Sequence, residues 1–146
     1  MPAPLDPDHI LLGQTFSSKR EIVQAIGELM VASGDVTRRY LEGMLQKEEM
    51  HSTWITESVA LPHGVNGVKR EVIRTSVVFV QLAEGIDWGG GKIVHLAIGV
   101  AGQGEDQHVK LLTAIARVLQ NRNWVAQLKS ANDKETVLRI LGEGFR

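Results

Sequence analysis

Two runs of almost unbroken apolar residues limit what this chain can fold into. They are Thr75 to Leu82, around Val77-Val78-Phe79-Val80, and Lys92 to Ala101, around Ile93-Val94-His95-Leu96-Ala97-Ile98. A strand with one face in water alternates apolar and polar side chains, whereas continuous apolar character means that both faces are covered. Both segments are therefore expected to be strands of a sheet held between layers of helix. With 146 residues, 43% of them hydrophobic, the chain can bury such a core without metal or disulfide staples.

The flanking sequence supplies the helices. Ser18 with Glu21 three residues later reads as a capping box. Ile22, Val23, Ile26, Leu29, Met30 and Ala32 then recur mostly at spacings of three and four, one buried helical stripe that Gly34 should end. Asp35 is expected to cap a second helix carrying Val36, Tyr40, Leu41, Met44 and Leu45 inward, running to about Glu49 with Lys47 in its last turn. Asp106 is expected to cap a third, from Gln107 to Gln120, and shorter ones should follow at Asn123 to Leu128 and Asn132 to Leu141. In the latter, Asp133 and Glu135 suit the positive first turn. Ile10-Leu11-Leu12 suggests a short strand, and Glu84 to Gly91 a turn-forming connection. The expected architecture is α/β: one domain over residues 10–146, a mixed sheet sandwiched between helices, after a flexible tail at 1–9.

Composition removes several classes of function. There is no cysteine, hence no thiolate nucleophile, thiolate metal site or disulfide. Sixteen Lys and Arg against seventeen Asp and Glu give a net charge of -1 without a basic run, which speaks against nucleic acid. The start lacks the basic and apolar regions of a signal peptide, and no apolar run approaches the ~20 residues of a membrane helix, so a soluble, cytoplasmic protein is expected. Gly89-Gly90-Gly91-Lys92 fails as a phosphate-binding P-loop, because Ile86 holds the first glycine position and Ile93 follows the lysine. No His-Glu-x-x-His is present, and neither a metal nor a cofactor is expected.

Five histidines, at 9, 51, 63, 95 and 108, are the side chains that normally titrate near neutral pH. His9 reads as solvated and His51 as a surface loop residue. His95, inside an apolar strand, reads as a core residue satisfied by a hydrogen bond. His63 differs: Pro62 cannot donate in a ladder and Gly64 adds no bulk, so Ser58 to Gly64 reads as a strand tip entering a loop, where α/β folds place ligands. His108, just after Asp106, falls in a first helical turn, whose unpaired N–H groups favour an anion. On residue pattern alone it reads as solvent-facing.

Taken together, Met44-Leu45-Gln46-Lys47-Glu48, Thr56-Glu57-Ser58-Val59-Ala60-Leu61-Pro62-His63-Gly64 and Asp106-Gln107-His108 resemble the IIA domains of the mannitol and fructose branch of the sugar phosphotransferase system. Arg74 to Phe79, Glu84 to Gly89 and Leu96 to Ala101 resemble that family's central strands and their connection, and the likeness runs from about Ile10 to Leu141. The resemblance implies that His63 takes a phosphoryl group from the carrier protein HPr and passes it to a cysteine of a IIB domain, for fructose or mannitol uptake. It implies that His108 helps hold the phosphate and that Glu57 lies close to the site. Membrane contact would be indirect, through the IIC permease. Lys47 stands where the family commonly has arginine, and supplies a point charge without the bidentate guanidinium fork. Glu84 to Gly89 and the helix after His108 look closer to fructose-type domains. A regulatory, nitrogen-related IIA module is the competing reading.

Such a role makes demands on His63. Its attacking nitrogen must be unprotonated, so Nε2 is expected to attack while Nδ1–H donates to a backbone carbonyl or a carboxylate. Transfer between imidazoles depends on alignment and on stabilising the equatorial oxygens, for which His108, its helix start, Lys47 and Gly64 are the candidates. Partners that come and go call for a shallow, largely apolar docking surface around His63.

Overall fold

The computed structural model describes residues 5–64 and 70–146; residues 1–4 of the expected tail lie outside them. A 3-10 turn at Pro7–His9 leads into strand β1 (Ile10–Gln14). Helices α1 (Lys19–Ala32) and α2 (Arg38–Met50) follow, then β2 (Trp54–Thr56), β3 (Val59–Ala60), β4 (Ser76–Asp87) and β5 (Ile93–Ala101). The chain ends in α3 (Gly104–Leu119), α4 (Arg122–Ser130) and α5 (Lys134–Glu143). The sheet runs β1-β4-β5-β3-β2 and is mixed: β1 lies parallel to β4 and β3 parallel to β5, while β4–β5 and β2–β3 are antiparallel.

The two apolar strands sit at the centre. Phe79, Leu96, Ile98 and Val100 pack with Leu111, Ile115, Val118, Leu128, Val137 and Ile140 of α3, α4 and α5. Val78, Val80, Val94 and Ala97 pack with Ile22, Val23, Ile26, Met30, Tyr40 and Met44 of α1 and α2. This is the predicted sandwich, and most of the predicted stripes form its inner faces, although Ala32 is exposed and Val36 lies ahead of α2.

Helix α1 follows its signals closely. The Ser18 side chain accepts from the Glu21 N–H, but the Glu21 carboxylate returns to the Ser17 N–H, one residue before the expected partner. At the far end Gly34, at φ 77°, closes a Schellman motif: its N–H bonds Val31 O, and the Asp35 N–H bonds Met30 O.

Three expectations are corrected. Asp35 does not cap α2; the N-cap is Thr37, and the buried Asp35 carboxylate accepts from Arg74 Nε at 2.8 Å. Strand β4 runs on to Asp87 instead of ending near Leu82, because Ile86 and Asp87 pair with Val94 and Ile93 after a bulge. Gly85 permits this, since a Cβ there would come within 2.2 Å of Ile93. His9 is not solvated: at 6% exposure it bonds Val77 O through Nδ1 and Ser33 Oγ through Nε2.

Gln81 joins β4 to the next layer. Its Nε2 donates to Leu128 O at 3.0 Å, Ala131 O at 2.9 Å and Lys129 O at 3.3 Å, while its Oε1 accepts from the Gly13 N–H. Gln81→Leu keeps the bulk but strands these groups in a buried place. A loss of about 3 kcal/mol is expected, from ~1–3 kcal/mol for each unsatisfied group, measured as a lower urea midpoint with unchanged slope. An unchanged midpoint would mean that the α4 end finds other partners.

His95 does not match its expected satisfied state. Its Nδ1 is buried with no hydrogen-bond partner among the described residues. Desolvation, and then the nearby charge of Lys129, hold its pKa below the ordinary 6.5. Between the lowered and ordinary values the unfolded chain binds more protons than the folded one. This histidine therefore takes away stability as pH falls below about 6.5. In an NMR titration the His95 midpoint should fall below 6.5, and Lys129→Gln should raise it; a midpoint at or above 6.5 would contradict this.

Candidate functional site

Strand β3 carries the chain from the sheet edge to His63. The Leu61 N–H bonds Thr53 O and Pro62 O accepts from the Val100 N–H at 2.9 Å, so both residues before the histidine are tied to the sheet. Leu61 and Pro62 are buried, His63 half-buried. The His63 Nδ1 lies 2.7 Å from Leu61 O. A carbonyl only accepts, so Nδ1 carries the proton in this bond, and in the neutral ring that assigns the lone pair to Nε2.

The second imidazole comes from α3. The His63 and His108 rings are 5.6 Å apart between centroids, tilted by 52°. His108 does not occupy a first turn capped by Asp106, and it does not face solvent. The helix starts earlier, with N-cap Gln103, which makes His108 its fifth residue at 9% exposure. The cause is a long-range bond: Thr75 Oγ holds the Gln103 N–H at 3.0 Å, while Gly104, at φ 82°, turns the chain into the helix. Gly102 lets the loop lie against α3, since a Cβ there would be 2.4 Å from His108 Cα. Glu105 and Asp106 occupy the first turn.

Gly64 joins the pair in a different way from that expected. Its N–H is given to the Tyr40 hydroxyl at 3.0 Å, and a Cβ on it would come 2.7 Å from the Tyr40 ring. Sequence reasoning counted Tyr40 only as core; its two-sided hydroxyl has no signature in a helical stripe. Lys47 is half-buried in the last turn of α2, about two turns from Tyr40. Glu57 is exposed in the β2–β3 turn at φ 27°, at the end of β3 opposite His63. It lines a groove of about 500 Å³ with Leu119, Val125 and Lys129 at the far end of α3. A second cavity of similar size is lined by Asp6, His9, Asp35 and Arg74. Neither is lined by His63 or His108; His63 is half-buried, His108 is buried, and Val109 beside it is exposed. No cluster of three potential metal ligands occurs among the described residues.

The fold is that of phosphotransferase enzyme IIA domains. It matches the crystal structure of mannitol IIA from Escherichia coli at TM-score 0.85 and 31% identity, over 93% of this chain and 97% of that one. The complex of the same organism's mannitol IIA with phosphorylated mannitol IIB matches at 0.84 and 30%, over 93% and 95%. The chain belongs to the family "Phosphoenolpyruvate-dependent sugar phosphotransferase system, EIIA 2", whose model matches residues 3–144, and is a phosphoryl-transferring IIA component of that system. Among its relatives is the mannitol-specific phosphotransferase enzyme IIA component of Bacillus subtilis, 32% identical over 95% of this chain and 96% of the relative. The mannitol-specific EIICBA component of Buchnera aphidicola is 38% identical over 93% of this chain, which spans 21% of that longer protein. A nitrogen regulatory IIA protein from Neisseria meningitidis, at 22% identity and TM-score 0.78 over 94% of this chain and 96% of that one, shares the fold alone.

Proposed function

We propose that His63 carries the phosphoryl group, accepting it on Nε2 from phospho-HPr and delivering it to a cysteine of a IIB domain that serves mannitol uptake. The observation that supports this most is the Nδ1 bond to Leu61 O, which leaves Nε2 as nucleophile next to a second imidazole 5.6 Å away. His108 and the start of α3 are assigned to the equatorial oxygens, which spread negative charge as the group moves. Gly64 serves by leaving space for Tyr40, and Lys47 is assigned to the surface that partners meet; Glu57, expected close to the site, stands instead at the other end of β3 beside the end of α3.

The relatives named for mannitol, and the IIA–IIB complex among the matching structures, favour transport over the regulatory reading. No helix among the described residues is long and apolar enough to cross a membrane. Membrane contact in this reading is indirect, through a IIC permease, and the working place is the cytoplasm. The test is a two-stage transfer followed by intact-mass spectrometry. Phosphoenolpyruvate, enzyme I and HPr should add one acid-labile group of about 80 Da, and a mannitol-type IIB domain should then remove it. An unmodified chain would refute the carrier role, and retention of the phosphate in the presence of mannitol-type IIB would refute that pairing.

A further inference from the structure

We propose that the Tyr40 hydroxyl is a positioning group for the transfer at His63, fixing the peptide that follows the histidine against the end of β5. The inference rests on the proposed role of His63. Tyr40 is 2% exposed. Its hydroxyl donates to Val100 O at 2.9 Å and accepts from the Gly64 N–H at 3.0 Å. Val100 also donates its own N–H to Pro62 O at 2.9 Å. Both peptide groups flanking His63 are thereby referred to one residue of a central strand: Pro62 O directly, the Gly64 N–H through Tyr40.

With its backbone held on both sides, the His63 side chain keeps only its own torsions, and the Nδ1 bond to Leu61 O restricts those. A buried phenylalanine could supply the same ring packing against Gly64. The phenol adds a group that donates and accepts at once. Burial pushes its pKa up to about 12, so it holds its proton wherever the carrier works. Because the Gly64 N–H faces Tyr40, it is not spent on the phosphate. The angle His63 presents to His108 is what the clamp protects.

Tyr40→Phe tests the idea, alongside Gln81→Leu as a destabilised control remote from the loop and His63→Ala as the site control. The readouts are the dependence of phosphorylation rate on phospho-HPr concentration and the imidazole tautomer of His63 by 15N NMR. Tyr40→Phe is expected to lower kcat about tenfold with KM unchanged, as for a reacting group allowed to wander, and to reduce the Nδ1–H fraction. Gln81→Leu should melt early yet keep the wild-type kcat. A wild-type kcat and tautomer in Tyr40→Phe, or an equal kcat loss in Gln81→Leu, would overturn the positioning role while leaving His63 as carrier. Phosphate uptake by His63→Ala at the wild-type rate would overturn the carrier reading itself, and the positioning role with it.

Discussion

His63→Ala is expected to abolish phosphate uptake, a loss of at least about 1,000-fold in the rate of labelling by phospho-HPr, read by intact mass and acid lability. The size follows from the absence of a substitute. His9 has both ring nitrogens engaged, by Val77 O and Ser33 Oγ. His95 is held with Nδ1 buried and unpartnered. His51 is exposed at the end of α2, on an element whose contact with the His63 loop is made by Tyr40, near its other end. His108 is the only imidazole among the described residues in ring contact with His63, but it stands on a helix rather than on a strand tip. If His63→Ala kept more than about a tenth of the wild-type rate, the nucleophile would be His108 and the two roles would exchange. A Leu61 substitution cannot make this distinction, because the acceptor is a backbone carbonyl present in every residue. The test must fall on the imidazole.

The sandwich was legible because its signals are local or periodic. Two doubly buried strands and two helical stripes suffice to demand a sheet covered on both faces. Ser18 and Gly34 mark the ends of α1 through bonds within a few residues. The errors fall where a distant partner outbids a local rule. Asp35 has the chemistry of an N-cap, but Arg74, 39 positions later, takes its carboxylate. Asp106 has it as well, but Thr75 holds Gln103 and α3 begins earlier. His9 looked solvated in a polar start because Val77 and Ser33, its partners, lie far along the chain. The site divides in the same way. Proline and glycine on either side announce His63, whereas its closeness to His108 is a product of the fold. Tyr40 resembled any inward-facing aromatic residue until its hydroxyl was seen between two backbone groups.

Gly102→Ala is expected to lower both stability and transfer, and the two losses should have one cause. Gly102 needs no unusual backbone angle, so the substitution is decided by space. The new Cβ would lie 2.4 Å from His108 Cα, 2.5 Å from its N and 2.8 Å from its Cβ. These neighbours are mostly helix backbone, which has no rotamer by which to withdraw. Either the start of α3 or the loop must move, while Leu111, Ile115 and Val118 hold the helix against the sheet at 0–1% exposure. The strain should cost about 1–3 kcal/mol, as over-packing in a filled core does. The displaced His108 should slow transfer to IIB about 10- to 100-fold. His108→Ala should slow transfer similarly. If Gly102 acts through the placement of that ring, the double substitution Gly102→Ala with His108→Ala should transfer no worse than His108→Ala alone, while being at least as unstable as Gly102→Ala. Rate losses that multiplied would instead mean that the loop reaches the phosphate by a route independent of His108.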